Sequence, residues 1–272
     1  MKRVLFSVGI FFSFWVNGQS LRNPVAANYI GSGGYSKTFA DPFSFTSNSA
    51  ALAFIHSASA GVYSEKRFMF NSLDLFTVVL ALPSSKGNFG MEANYFGFKN
   101  YNESSLGIAY GRSLGEKISI GARFNYFSLR IPGYVSASAI DFDVGFIASI
   151  NSNFGIGFSA SNPVGGRFLK SMDEKLRSEY KFGAGFTASE VFYISGEIIK
   201  EEDMTVDVNA GIQYQYSKRF FIRAGMRTAT SIGYAGAGCS WNNFRLDVCA
   251  SYHPMLGLSP GIMLVIKFRN NE

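Results

Sequence analysis

Residues 117–161 read KISIGARFNYFSLRIPGYVSASAIDFDVGFIASINSNFGIGFSAS. In the first run Ile118, Ile120, Ala122, Phe124 and Tyr126 alternate with Ser119, Gly121, Arg123, Asn125 and Phe127, until Pro132-Gly133 interrupts it. The next run puts Ile140, Phe142, Val144 and Phe146 on one face and Asp141, Asp143 and Gly145 on the other. After Asn151-Ser152-Asn153, the residues Phe154, Ile156 and Phe158 oppose Gly155, Gly157 and Ser159. Side chains of an extended strand point alternately to its two faces. Aromatics on one face, with Gly, Asp, Arg and Asn on the other, give the dyad repeat of a membrane-spanning β-barrel.

The remaining composition agrees. The chain has 28 Phe, 14 Tyr and 29 Gly among 272 residues. A soluble sandwich could carry alternating strands, but its wet face would not call for so many small residues. A barrel lumen is crowded and polar, so inward Gly, Ser and paired charges follow from its geometry. Beyond the amino terminus, no uncharged apolar run reaches the roughly 18 to 20 residues a spanning helix needs. The formal charge of +6 is spread along the chain and not gathered into the basic block of a nucleic-acid binder.

Met1-Lys2-Arg3, the apolar run from Val4 to Val16, and Asn17-Gly18 read as a secretory signal peptide over residues 1–18. Export places Cys239 and Cys249 where a disulfide is permitted. Register argues against one. If Asn242-Asn243 is a two-residue turn, Cys239 faces Leu246 and Gly236 faces Cys249, which puts the two sulfurs on opposite faces of the sheet.

Residues 19–56 lack β alternation. They hold a Gly-rich turn at 31–34, Asp41-Pro42, and the run Asn48-Ser-Ala-Ala-Leu-Ala53, which Asn48 is suited to cap. Phe39, Phe43, Phe45, Leu52 and Phe54 give this segment the apolar content that disordered tails lack. It is expected to fold into the barrel as a plug or hatch. Residues 57–272 then carry fourteen candidate strands, near 58–69, 73–82, 88–98, 104–114, 117–130, 137–149, 153–161, 178–188, 191–199, 204–215, 219–228, 231–241, 244–252 and 258–268. An even number suits a closed single-chain barrel; weak alternation over 58–82 leaves twelve as an alternative. The long loop at 162–177 is charged.

Sorting by face puts Glu92, Arg123, Asp141, Asp143, Lys181, Glu197, Asp207, Arg223, Arg227, Arg245, Asp247 and Lys267 on the inner wall, six acids with six bases. Charges withdrawn from bulk water need partners, so these read as a salt-bridge network, with Arg223 and Arg227 forming a rung opposite Asp141 and Asp143. A polar conduction path is the alternative. Catalysis finds little support. His56 and His253 are the only histidines, they fall at opposite ends of the barrel, and neither has a nucleophile at the spacing a barrel hydrolase needs. No metal site is expected from two separated His and two unpaired Cys. Gly31 to Gly34 is no phosphate loop, because no strand precedes it and no Lys-Ser/Thr follows it. No cofactor is expected.

Gly33-Gly34-Tyr35, Ala40-Asp41-Pro42 and the run at 48–53, leading into a barrel, resemble the FadL-like barrels. Within them the style is similar to PorV/PorQ-type outer-membrane proteins of Bacteroidota. Asn48, Ala50, Leu52 and Ala53 match that family's hatch motif, while Ser49 and Ala51 replace its Pro and Gly. The resemblance implies a bacterial outer-membrane location, contact with membrane lipids, and one of two roles: an accessory subunit bound to other outer-membrane proteins, or a passive transporter of hydrophobic small molecules with a hatch and a lateral opening. Compact outer loops favour the accessory role, in a secretion or barrel-assembly machine, with passive transport as the alternative.

Overall fold

In a computed structural model, described over residues 34–166 and 176–268, fourteen antiparallel strands close into one barrel. They run in chain order: β1 Ser59–Lys66, β2 Asp74–Leu82, β3 Asn88–Phe98, β4 Tyr101–Leu114, β5 Ile118–Ile131, β6 Val135–Ser149 and β7 Phe154–Ser161. The second half holds β8 Glu179–Ser189, β9 Phe192–Glu201, β10 Asp207–Gln215, β11 Phe220–Arg227, β12 Ile232–Trp241, β13 Phe244–His253 and β14 Gly257–Lys267. The signal-peptide segment and most of the charged 162–177 loop lie outside the described residues.

Each strand pairs with its neighbours in sequence, and β1 meets β14 to complete the ring, with Tyr63 opposite Met263 and Ser59 opposite Lys267. Closure leaves no open sheet edge, a requirement in an environment that offers no water to unpaired backbone groups. The twelve-strand alternative is excluded, because the weakly alternating 58–82 region forms β1 and β2, joined from Ser59↔Ala81 to Lys66↔Asp74.

Alternation separates the faces. On β5 and β6, Phe124 and Ile140 are 67% and 58% exposed, while their neighbours Asn125 and Asp141 are 6% and 4% exposed. An exposed apolar side chain next to a buried carboxylate inverts the soluble pattern and suits a wall with lipid outside. This architecture is compatible with an outer-membrane protein.

Strand ends depart from the sequence expectation by two residues or more at five places. β4 begins at Tyr101 and not near 104, and β9 runs to Glu201 and not to 199. β1 stops at Lys66, where a 3-10 turn over Arg67–Met69 follows and packs on β14. β6 begins at Val135, so the Pro132-Gly133 loop is tighter than expected, with Gly133 at φ 81°. β10 begins at Asp207 and not near 204.

The β12–β13 hairpin has the expected register. Trp241 pairs with Phe244, Cys239 with Leu246, and Gly236 with Cys249. Asn242 takes φ 51°, the left-handed region that Asn tolerates better than most residues. Neither cysteine is in a disulfide. Denatured, unreduced protein should therefore titrate two thiols, and reductant should leave the unfolding transition unmoved; a thiol count near zero would show that β12 and β13 pair differently.

Candidate functional site

The candidate site is the lumen and the segment folded within it. Residues 34–55 form a turn, a short helix α1 (Ser44–Ser47) and a 3-10 turn over Ser49–Phe54. Tyr35, Phe43, Phe45, Ala50, Ala51, Leu52 and Phe54 are buried, and the 3-10 turn packs on β3, β4, β5 and β6. Burying each large apolar side chain contributes roughly 1.5 to 3 kcal/mol, so the segment is held by its own hydrophobic face.

Inward glycines make the space. A Cβ on Gly121 would stand 2.4 to 2.5 Å from backbone atoms of Ser49 and Ala50, and one on Gly61 would stand 2.3 Å from the Phe43 ring. Hydrogen bonds then fasten the segment. Asn48 Oδ1 accepts from the Ala50 amide at 3.0 Å, capping the 3-10 turn, while its Nδ2 donates to the carbonyls of Phe146 and Phe158 at 3.4 and 3.3 Å. Asn88 Nδ2 donates to the carbonyls of Leu52 and Ile55 at 2.6 and 2.7 Å. Of the motif residues, Ala50 and Leu52 are fully buried and Ala53 is half-buried.

Two ionisable contacts complete the attachment. Tyr35 donates to Glu197 Oε1 at 2.8 Å; burial, and then the adjacent Glu197 carboxylate, raise the Tyr35 hydroxyl well above its ordinary value, so it remains a donor. Asp41 Oδ2 lies 2.7 Å from Arg245 Nη2 and 3.9 Å from Arg223 Nη2. Burial alone would raise the Asp41 carboxyl, but Arg245 and Arg223 together outweigh it and hold the group below the usual carboxylate range. Asp247 is shared by the same arginines, at 3.1 Å from Arg245 and 3.6 Å from Arg223.

The inner-wall charges form separate groups. Arg123 contacts Glu92 at 2.5 Å and Asp143 at 2.7 Å, and Asn125 bridges Asp141 and Asp143 at 2.8 and 2.9 Å. Arg227 meets Asp207 at 2.5 Å. Lys181 meets Glu179 at 3.0 Å, and Lys267 is exposed. The rung expected between Arg223 and Arg227 and the Asp141/Asp143 pair does not form. β11 and β6 are not neighbours in the ring, and each arginine has a nearer acid. Sequence reasoning missed Asp41, Tyr35, Glu65 and Arg67 as members of the lumenal polar set. Asp41 and Tyr35 precede the strands, where alternation assigns no face. Glu65 has the inward parity of Tyr63 and was legible by that signal.

Part of the remaining inner wall is apolar, interspersed on β1, β2 and β14 with the buried polar residues Ser59, Thr77 and Ser259. Register brings Val79 and Val265 beside Gly61, Met263 beside Tyr63, and Leu75 beside Glu65. These residues and Ala81 are buried, in one cluster with Phe43, Phe45 and Leu52. The wall of β14, β1 and β2 thus carries an apolar column from the 34–55 segment toward the opposite end. The 3-10 turn at 67–69 follows β1 there and packs on β14. Phe68 and Met69 adopt φ 53° and 58°, costly for bulky side chains, and the Phe68 amide donates to Ser259 Oγ at 2.9 Å. Arg67 lies over the Phe96 ring, 5.1 Å from its centroid, and meets Glu65 at 3.3 Å.

Neither histidine builds a reaction centre. His56 is exposed, and His253 Nδ1 accepts from the amides of Met255 and Leu256 at 3.1 and 3.3 Å, a loop-shaping role. Among the described residues, no cluster of His, Cys, Asp and Glu suits a metal.

No protein-family model and no curated protein matches the chain. Solved structures do. A structure titled CymD monoaromatic hydrocarbon channel aligns at TM-score 0.67 and 12% identity, covering 91% of this chain and 98% of its own. The Pseudomonas putida toluene transporter TodX aligns at TM-score 0.64 and 9% identity, covering 93% and 100%. A Pseudomonas aeruginosa FadL homologue aligns at 0.56 and 11%, covering 90% and 97%. The fold is FadL-like. Two of these structures are a channel and a transporter by title, which is consistent with a non-enzymatic barrel.

Two measurements test how the segment is held in this FadL-like barrel. Gly121→Val should lower the midpoint of heat-modifiable gel migration, through about 1 to 3 kcal/mol of overpacking against the Ser49–Ala50 backbone. Asp41→Asn should destabilise by about 2 kcal/mol, as expected for losing a hydrogen bond to a charged group. Because the folded carboxyl is depressed, the contribution of Asp41 is present above its unfolded value near 3.9 and is lost as pH falls through the folded value. The gap between the parent protein and Asp41→Asn should hold constant from about pH 7 to 5 and narrow below about 4; a pH-independent gap would remove the electrostatic account.

Proposed function

We propose that this chain is a passive channel for hydrophobic small molecules, integral to the bacterial outer membrane and in contact with its lipids, with residues 34–55 as the hatch. One observation carries the reading: an apolar column on the lumenal wall runs up to a segment of the chain's own amino-terminal part. A pore for polar solutes keeps a water-filled polar interior, whereas Leu75, Val79, Met263 and Val265 are buried against Phe43, Phe45 and Leu52, so an apolar molecule would take over contacts that residues 34–55 now make. Likeness of fold to hydrocarbon channels and a FadL homologue, over nearly the whole chain, supports it.

This reverses the preference drawn from loop length. Compact loops favoured an accessory subunit of a PorV/PorQ type, yet the similar structures named above carry transporter and channel titles, and the apolar column needs no partner protein to account for it. A lateral opening is not part of the reading. Protein secretion and a membrane-protein complex have no supporting observation.

Proteoliposomes containing the full chain should pass toluene faster than protein-free vesicles and should exclude a small sugar. Flux equal to that of empty vesicles, together with stoichiometric recovery of an outer-membrane partner on gentle extraction, would return the accessory role.

A further inference from the structure

Arg112 is a charge on the outer face of the wall. On β4, Leu106, Ile108, Tyr110, Arg112 and Leu114 alternate outward and are exposed, while Gly107, Ala109 and Gly111 are buried toward the lumen. Register puts Ile120 of β5 opposite Arg112 and Ile118 opposite Leu114, and both isoleucines are exposed on that face. Among the described residues, the other charged strand positions of outward sense, Lys66, Asp74, Arg130 and Lys200, lie at the other end of the barrel. Nor is Arg112 in an ion pair among the described residues, although Glu116 stands in the next turn.

The end of the barrel that Arg112 approaches carries the turns that follow β2, β4, β6, β8, β10 and β12, all short, whereas the connection over 162–178 at the other end is the longest. Short turns mark the periplasmic rim of an outer-membrane barrel. That rim is basic, with Lys86, Lys117, Lys218, Arg219 and Lys267 exposed against Glu116 and Glu190. The rings of Phe89 and Tyr110 lie 5.3 Å apart, and the Tyr110 hydroxyl donates to the Lys86 carbonyl at 2.6 Å, which brings the β2–β3 turn and Lys86 to the same patch as Arg112.

Aromatic side chains near strand ends settle at the headgroup level of a bilayer. A guanidinium at that depth, bordered by Tyr110, Leu114, Ile118 and Ile120, meets the phosphates of the membrane as its nearest anions, and its fork of donors suits them. A zwitterionic lipid carries a cation beside its own phosphate. An anionic one leaves the phosphate charge for the protein.

We propose that Arg112 and Lys86, beside Phe89 and Tyr110, form a binding site on the outer wall for the headgroup of an anionic phospholipid of the periplasmic leaflet. Arg112 and Lys86 take the phosphate, and Tyr110, Ile118 and Ile120 hold the ester region and the first methylenes of the acyl chains. The site depends on the barrel lying in the outer membrane and is independent of what crosses the lumen.

Ile120→Trp combined with Trp241→Phe places one fluorophore opposite Arg112, because Trp15 lies in the segment read as the signal peptide. The exported barrel with this pair of changes is put into phosphatidylcholine vesicles holding a minor share of lipid brominated near its ester groups, either phosphatidylglycerol or phosphatidylcholine. Phosphatidylglycerol should quench with a relative association constant about tenfold higher, since each nearby Lys or Arg contributes a factor of about five. Arg112→Gln should cut the preference about fivefold, Arg112→Gln with Lys86→Gln should abolish it, and Arg112→Lys should keep most of it. Lys218→Gln, across the ring, should leave it unchanged. In native mass spectrometry the parent barrel should retain phosphatidylglycerol over phosphatidylcholine from mixed vesicles, which decides the matter even if the reporter fails to fold. Equal quenching or equal retention of the two lipids overturns the proposal. So does an equal loss in Lys218→Gln, which would make the preference a property of the whole rim. Displacement of brominated phosphatidylglycerol by lipid A more readily than by unlabelled phosphatidylglycerol also overturns it, because the occupant would then belong to the outer leaflet. Toluene flux in the same vesicles separates the two readings: flux without a lipid preference removes the lipid site alone, and a lipid preference without flux removes the channel alone.

Discussion

The pairing of β1 with β14 is the constraint on which everything else rests. In a hydrocarbon environment each backbone N–H and C=O must find its partner within the protein. A meander of fourteen strands meets that demand only when its first and last strands join. Joining them also aligns Tyr63 with Met263 and Gly61 with Val265. The apolar column of the lumen is therefore assembled from opposite ends of the sequence by the same hydrogen bonds that close the wall.

Closure creates an interior that has to be filled or solvated. Here residues 34–55 occupy part of it, and the fit is set by what the wall leaves out. Gly61 and Gly121 carry no Cβ where Phe43 and the Ser49–Ala50 backbone approach. The high glycine content thus has a packing cause on the inner face, separate from any need for unusual backbone angles. Asn48 shows how little polar chemistry is required, since one side chain caps the 3-10 turn and reaches two wall carbonyls.

Electrostatics in the lumen is local. Arg123 gathers Glu92 and Asp143, Arg227 takes Asp207, and Arg245 with Arg223 takes Asp41 and Asp247. Each group has its counter-charges within about 4 Å, where attraction in a low-dielectric interior is strong. Only the last group joins the wall to the segment inside it by an ion pair among the described residues, which makes it the place where charge and position of the segment are coupled.

Alternation along 117–161 was enough to point to a barrel, and the same repeat along the rest of the chain gave fourteen strands, with twelve as the alternative, because strand geometry has period two whatever the strand packs against. The Asn242-Asn243 turn likewise settled the hairpin register, and with it the opposite faces of Cys239 and Cys249. These are local properties, carried by neighbouring residues. What only the tertiary structure decided are contacts between residues remote in sequence: Asp41 against Arg245, Tyr35 against Glu197, and the pairing of Arg223 with Asp247 in place of the Asp141/Asp143 pair. Period two assigns a face but not a partner across the lumen, and it says nothing about a segment with no strand geometry. The partners follow from ring closure and from the path of residues 34–55 inside the ring.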